Sequence, residues 1–210
     1  MVAMHRRHLT ALAASAALLA GCGVPNADAP AASSTQASEA ATTAKTPAST
    51  SGPTQQAVPS TAASYVRVPS AGIDQSLIPG GLSEAGTISP DKGEVMWFTG
   101  NDRVEPGRKG TAVVAAHVDY AGEPDVFTHL EDASPGETIT VGYADGSEVE
   151  FAITAAEVIE KSALQNDPRV WGRQTDRAEL VLVTCDDALG FRDDGHRSAN
   201  LVVFASPAQT

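Results

Sequence analysis

The sequence predicts a mostly β domain, a closed barrel or a sandwich, with short helical turns. Turn signals recur roughly every ten residues, as at Pro79-Gly80-Gly81, Pro106-Gly107 and Asp145-Gly146. Short apolar runs lie between these turns, and many short strands at this spacing are typical of a barrel or sandwich. Because no long amphipathic helix separates the runs, a parallel α/β sheet is disfavoured.

The individual elements follow from the composition of these runs, which are rich in Val, Ile, Thr and Tyr. Strands are predicted over residues 65–68, 75–78, 111–116, 138–143, 148–158, 179–184 and 200–205. Residues 126–130 and 168–171 are too short for more than single helical turns, and we expect one such turn in each.

Charge and cysteine content exclude several classes of protein. The 210 residues carry a formal net charge of −12, which argues against a nucleic-acid binder because such proteins need a basic surface. Residues 65–210 hold 11 basic and 24 acidic side chains, so the acidity belongs to the folded domain. Two cysteines cannot build a disulfide framework or a cysteine-rich zinc site.

The first 22 residues have the features of an export signal. Arg6 and Arg7 form a positive start, and residues 9–20 form an apolar segment that is too short to span a bilayer. The segment ends in Leu19-Ala20-Gly21-Cys22, which resembles the lipobox of bacterial lipoproteins. By that resemblance Cys22 is lipidated, and the mature protein is anchored to the outer face of the cytoplasmic membrane, facing the cell wall.

Residues 23–63 are predicted to be a disordered linker. Of these 41 residues, 30 are Ala, Ser, Thr or Pro and none is aromatic, so the segment cannot bury enough apolar surface to offset its ordering entropy. A relaxed chain of this length spans roughly 35 Å. The folded domain is expected to cover residues 64–210.

Two strand ends carry residues capable of catalysis. If Cys22 is lipidated, Cys185 is the free thiol of the domain, and an unpaired cysteine in an exported protein calls for a reason. Period-two alternation places Val181, Val183 and Cys185 on one face of the strand. His117 ends another apolar strand and is a candidate partner for the thiol. Taken alone, a buried structural cysteine and a structural histidine are the commoner roles for these two residues.

These residues carry a resemblance to a known family. Ala116-His117-Val118-Asp119, Leu182-Val183-Thr184-Cys185 and Arg197, just before the last apolar strand, resemble the sortases, and the surrounding pattern is most similar to the class F sortases. The supporting motifs, in order, are Gly81-Leu82, Trp97-Phe98, Phe127-x-x-Leu130, Pro135-Gly136-Glu137, Asp145-Gly146, Val170-Trp171-Gly172 and Asn200-Leu201-Val202-Val203. The resemblance covers about residues 65–206 and implies a closed β-barrel of about eight strands.

The resemblance also implies a reaction. The implied enzyme is a cysteine transpeptidase, expected here to use no cofactor and no metal, in which Cys185 would attack the Thr carbonyl of an Leu-Pro-x-Thr-Gly-like sorting signal. His117 would be the general acid and base, and Arg197 would stabilise the oxyanion. Arg192 lies in the same loop; Arg197 is favoured because it stands closer to the terminal strand.

Substrate and partners follow from the same resemblance. An apolar face formed by Ala115, Val181 and Val183, supported by Thr184, would receive the Leu-Pro portion of the signal. The acceptor would be an amine of the peptidoglycan, so the implied partners are sorting-signal-bearing surface proteins and the cell wall. The enzyme is expected to act as a monomer.

Other readings of the same residues remain open. A papain-like protease has its Cys before its His in the chain, whereas His117 precedes Cys185 here. An L,D-transpeptidase has an Arg two residues after the Cys, where this chain has Asp187. A non-catalytic lipoprotein that binds wall peptides with a vestigial site is the alternative to an enzyme.

Overall fold

A computed structural model describes residues 59–209 of the chain, and within this range the chain forms ten strands and two short α-helices. The strands are β1 (Ala63–Val68), β2 (Ile73–Gly80), β3 (Val95–Phe98), β4 (Gly110–Ala115), β5 (Asp119–Tyr120), β6 (Glu123–Pro124), β7 (Thr138–Tyr143), β8 (Glu148–Glu160), β9 (Ala178–Phe191) and β10 (Arg197–Pro207). The helices are α1 (Lys161–Leu164) and α2 (Pro168–Trp171), and 3-10 turns cover Pro69–Ala71 and Leu130–Asp132.

Eight of the strands close into a barrel in the order β1-β2-β3-β4-β9-β10-β8-β7, and β7 pairs back onto β1. Most neighbours are antiparallel, but β2 with β3 and β4 with β9 are parallel. β5 and β6 form a separate two-stranded ribbon. The prediction of a mostly β domain with a closed eight-stranded barrel is therefore confirmed.

The barrel interior is filled by one large apolar cluster to which all eight barrel strands contribute. Alternation along each strand explains which residues enter it: Leu180 and Leu182 of β9 are in this cluster, whereas Val181 between them is not. Phe151 of β8 is also fully buried there. Burial of this kind stabilises the fold by about 1.5–3 kcal/mol for each large side chain.

A second, smaller apolar cluster lies on the other face of the β4-β9-β10 sheet. Its residues alternate along each strand with those of the barrel interior and include Val113 of β4, Val181 of β9 and Val202 of β10. Leu164 of α1 and Val170 of α2 pack on them and are almost fully buried. The α1–α2 segment is thereby attached to the outside of the barrel, next to the ends of β4 and β9.

Several elements differ from the sequence-based expectation. β3, β5, β6 and α1 were not predicted, and β1, β2, β8, β9 and β10 extend beyond the predicted strands. A helical turn was expected at residues 126–130, but 126–129 form non-helical turns and the 3-10 turn begins at Leu130. The turn at residues 168–171 is present as α2, where the Asp167 side chain accepts a hydrogen bond from the Arg169 N–H as an N-cap.

The export signal, Cys22 and most of the predicted linker lie outside the described residues. Residues 59–63, the end of that linker, are described: β1 begins at Ala63, and the Arg108 guanidinium donates a hydrogen bond to the Pro59 carbonyl. Among residues 59–209, the helices are all too short or too polar to cross a membrane.

Candidate active site

The parallel pairing of β4 with β9 brings the two predicted strand ends together. Ala115 of β4 is the register partner of Val183 of β9, so the residues that follow in each strand advance side by side. The Thr184 hydroxyl, which is buried, donates a hydrogen bond of 2.9 Å to the Ala116 carbonyl. His117 directly follows Ala116, and Cys185 directly follows Thr184. Both residues therefore lie at the same end of the sheet.

His117, Cys185 and Arg197 line one cavity of about 1210 Å³. Its apolar wall is provided by Ile88, Phe98, Leu164, Trp171 and Val183, and its polar wall includes Asp119 and Asn200. The volume is sufficient for an extended peptide segment of a few residues. The cavity thus combines a nucleophile, an imidazole, a guanidinium and an apolar surface.

Cys185 is a free thiol and is half-buried at the cavity wall. Asn200 of β10 is its register partner, and the Asn200 side-chain amide donates a hydrogen bond of 2.8 Å to the Thr184 carbonyl. This bond and the Thr184–Ala116 bond fix the backbone on both sides of β9 just before the thiol. The Lys161 ammonium lies 3.6 Å from the Cys185 sulfur.

His117 is held through both its backbone and its ring. Its carbonyl accepts a hydrogen bond of 2.9 Å from the N–H of Phe127, which is a fully buried anchor. The ring Nε2 lies 2.8 Å from the Pro90 carbonyl. Because a carbonyl can only accept, Nε2 carries the hydrogen, and Nδ1 is left as the nitrogen that can exchange a proton with a bound substrate.

Arg197 begins β10 and points into the cavity from the strand next to β9. Its guanidinium pairs with the Asp119 carboxylate at 2.5 Å, and the Phe191 ring lies 5.8 Å from the guanidinium carbon. The two charged side chains are 25% and 29% exposed, so water screens this pair less than it screens a fully exposed one. Asp119 therefore contacts the arginine and orients its guanidinium.

Arg192, the other candidate, is also at the cavity edge but is exposed and pairs with Asp194 at 3.1 Å. It sits in the turn between β9 and β10, where Gly195 adopts a φ of +80° that strongly favours glycine. The turn returns the chain so that Arg197 becomes the register partner of Phe191. The two arginines thus occupy different settings, one inside the cavity and one at its rim.

The predicted substrate-binding residues are not all in one place. Ala115, Val183 and Thr184 line the cavity. Val181 does not; it is 1% exposed and is packed in the second apolar cluster, one alternation step deeper along the same face of β9. Its contribution is to support Val183 from within the sheet.

The acidic residues near Cys185 in sequence lie outside the cavity lining. Asp186 accepts a hydrogen bond from the Ala188 N–H, and Asp187 is exposed. The His196 backbone N–H, and secondarily Arg192, lower the pKa of the Asp194 carboxyl. Within residues 59–209, His, Cys, Asp and Glu side chains form no group of three suited to a metal ion.

Two contributors to the site were missed by sequence reasoning. Lys161 directly follows β8, which is separated from β9 and Cys185 by one strand, β10, and its side chain extends to the thiol. No local sequence signal marks that placement. The Pro90 carbonyl reaches His117 from the β2–β3 connection, residues 81–94, whose turn-forming composition gave no sign of a contact with the histidine.

Comparison with known proteins bears on the family and the fold. The sortase domain family matches residues 66–208, which is most of the described range. No curated protein matches the chain.

Among solved structures, the SrtA sortase from Actinomyces oris superposes with a TM-score of 0.55 at 16% identity, covering 75% of this chain and 84% of the other. Sortase A from Corynebacterium diphtheriae gives 0.53 at 16% identity, covering 71% of this chain and 61% of the other, so this chain spans less than two thirds of that protein. Sortase A from Listeria monocytogenes gives 0.50 at 17% identity, covering 71% and 88%. Since the family match extends from β1 into the end of β10 and takes in both strand ends that bear the site, the chain belongs to the sortase family.

Proposed function

We propose that this protein is a cysteine transpeptidase that cleaves a sorting signal and transfers the released acyl group to a cell-wall amine. The observation that carries the proposal is the convergence of His117, Cys185 and Arg197 on one cavity, fixed by the parallel β4–β9 register. A buried structural cysteine would have no need of a cavity or of such neighbours. The residue types are those required for acyl transfer through a thioester.

In the first half-reaction the Cys185 thiolate attacks the carbonyl carbon of the scissile peptide bond. The carbonyl oxygen becomes an oxyanion, and Arg197 donates hydrogen bonds to it, its Asp119 partner keeping the guanidinium oriented. The C–N bond then breaks as His117 gives a proton to the departing amine. The products are a thioester on Cys185 and a free peptide amine.

In the second half-reaction an acceptor amine attacks the thioester. His117 takes a proton from the attacking nitrogen, a new amide bond forms, and the Cys185 sulfur leaves as a thiolate. No net proton is consumed over the two halves, and the enzyme returns to its starting state. Water in place of the amine would give hydrolysis by the same route.

The substrate class is an Leu-Pro-x-Thr-Gly-like signal on a surface protein, and the acceptor is an amine of peptidoglycan. The apolar wall formed by Ala115 and Val183, with Ile88 and Trp171 nearby, is suited to a Leu-Pro segment. Thr184 supports this wall through its bond to Ala116. The order of motifs along the chain supports assignment to class F within the family.

We also propose that the protein is exported and lipid-anchored through Cys22, with residues 23–63 acting as a tether to the outer face of the cytoplasmic membrane. The support is the sequence Leu19-Ala20-Gly21-Cys22 after an apolar segment. Cys22→Ser should remove metabolic labelling by a fatty-acid probe and release the protein from membranes. Labelling that persists in the variant would refute lipidation at Cys22.

The experiment that tests the activity is incubation of the purified protein with a library of sorting-signal peptides and a set of amine acceptors. Mass spectrometry should find cleavage between Thr and Gly of one signal class and a Thr-linked acceptor product. A peptide that binds without either product would favour the alternative function, a wall-peptide-binding lipoprotein that does not catalyse.

A further inference from the structure

Lys161 owes its position to the barrel topology. It is the first residue of α1 and follows β8 directly. β10 lies between β8 and β9, and its Ala199 is the register partner of Glu160 on one side and of Asp186 on the other. The end of β8 and the Cys185 region therefore stand at the same level of the sheet, and the long Lys161 side chain extends across β10 to the thiol.

The α1–α2 segment that carries Lys161 is well anchored. Leu164 is 7% exposed in the second apolar cluster, and the Trp171 indole N–H donates a hydrogen bond of 2.8 Å to its carbonyl. Arg103, which is buried, donates to the carbonyls of Val170 and Gly172. Because both ends of the segment are held against the barrel, Lys161 begins from a fixed backbone position.

The charges around the thiol are arranged so that Lys161 is the cation available to the sulfur. Arg197 is paired with Asp119 and Arg192 with Asp194, whereas no carboxylate within the described range pairs with Lys161. Lys161 is a half-buried residue, and its ammonium lies 3.6 Å from the Cys185 sulfur. That separation is within hydrogen-bonding distance for sulfur.

The other titratable groups that face this pair are engaged elsewhere or are exposed. His117 is bonded through Nε2 to the Pro90 carbonyl, and His196 at the cavity rim is exposed. Glu160, adjacent to Lys161, is exposed, and Asp186, adjacent to Cys185, alternates to the opposite face of β9. Asp119, the carboxylate in the cavity lining, is bound to Arg197.

We propose that Lys161 is a catalytic residue, the cation that keeps Cys185 as a thiolate before substrate binds and so leaves Arg197 free to serve the substrate carbonyl. A cation next to a thiol favours the thiolate, which is the nucleophilic form. Attack on the substrate converts the sulfur anion to a neutral thioester, and the ammonium again stabilises the thiolate when the acceptor amine displaces it. The catalytic part of this inference rests on the proposed transpeptidation; the ionisation part does not.

The test is the alkylation of Cys185 by iodoacetamide between pH 6 and 10, read by mass spectrometry on the Cys185-containing peptide so that Cys22 does not contribute. At pH 7 Lys161→Met should alkylate about tenfold more slowly than the wild type, because the loss of an adjacent cation disfavours the nucleophilic thiolate. The rates should converge near pH 10, where the thiol ionises without help. Lys161→Arg should retain most of the wild-type rate.

Lys109→Met is the matched control, because Lys109 is exposed and lies just before the opposite end of β4. It removes the same charge and should leave alkylation unchanged. Urea unfolding of each variant establishes that the fold is intact. Equal rates at pH 7 for the wild type, Lys161→Met and Lys161→Arg would overturn the proposal.

The same variants separate this inference from the proposed function. Slow alkylation of Lys161→Met, together with a wild type that transfers no acyl group, would leave the thiolate role standing and refute transpeptidation. Unchanged alkylation with normal transfer would refute the role of Lys161 alone. If both hold, transfer at pH 7 should fall in Lys161→Met and recover as the pH is raised.

Discussion

The Thr184 hydroxyl donates a hydrogen bond of 2.9 Å to the Ala116 carbonyl, and this single contact joins β9 and the end of β4 at the residues immediately before Cys185 and His117. It continues the parallel ladder by one step beyond the last backbone pairing of these strands, Ala115 with Val183. The relative placement of thiol and imidazole therefore depends on a side chain as well as on the sheet.

Replacing Thr184 with Val should destabilise the domain and impair catalysis together. Thr184 is 3% exposed, so the Ala116 carbonyl would be left without its partner at a cost of about 1–3 kcal/mol. Urea unfolding gives the stability change, and kcat for peptide cleavage gives the functional one. Thr154→Val is the control, because exposed Thr154 donates a comparable bond to the Phe204 carbonyl that water can replace. A Thr184→Val protein as stable and active as that control would contradict the role given to this bond.

The two arginines should behave differently when truncated. Arg197→Ala removes a guanidinium inside the cavity and should lower kcat/KM by at least about 10²-fold, the usual cost of losing an oxyanion donor. Arg192→Ala removes an exposed rim charge that is paired with Asp194 and should change the rate little. Steady-state kinetics with one peptide and one acceptor decide the matter. If Arg192→Ala were nearly inactive and Arg197→Ala were active, Arg192 would be the arginine that stabilises the oxyanion. The proposed transpeptidase function would still stand.

Much of this site was accessible from the sequence, and the reasons are local. Period-two alternation in residues 180–185 put Val183 and Cys185 on one face, and both line the cavity as that pattern implies. The same alternation, however, does not say how deep each residue lies, and Val181 is packed beneath neighbouring side chains. A strand pattern predicts which face of the sheet a residue occupies, but it does not predict whether other side chains bury that residue.

The elements that the sequence did not predict depend on tertiary contacts. β3 is four residues long with no polar alternation, and it becomes a strand by pairing with β2 and β4. α1 has four residues, too few for a helical period, and is stabilised by the burial of Leu164. The role of Lys161 was also not predicted, because its contact with Cys185 depends on the order of the strands in the barrel.

Alkaline pH should destabilise the barrel partly through Tyr143. Burial raises the pKa of this phenol well above its ordinary value of about 10, and the hydroxyl donates a bond of 2.8 Å to the Pro106 carbonyl. Above pH 10 the unfolded chain therefore loses a proton that the folded chain keeps, so the free energy of unfolding falls as the pH rises. Below pH 10 both states hold the proton and this contribution is constant.

Tyr143→Phe should accordingly flatten the decline in unfolding free energy above pH 10 while costing about 1–3 kcal/mol at pH 7 for the lost bond. Urea titrations at intervals from pH 7 to 11 measure both effects. Some slope should remain, because the hydrogen bond to Glu148 raises the pKa of Tyr65 as well. Parallel curves for wild type and variant above pH 10 would show that Tyr143 is not the titrating group.

The most direct test of the account is the mass of the protein after brief incubation with a sorting-signal peptide and no amine. The wild type should gain the mass of the acyl fragment ending in Thr, the adduct should map to Cys185, and an added amine should remove it as the transpeptidation product. Cys185→Ala should form no adduct and no product. An adduct on another residue, or turnover by the purified Cys185→Ala protein, would contradict the assignment of Cys185 as the nucleophile.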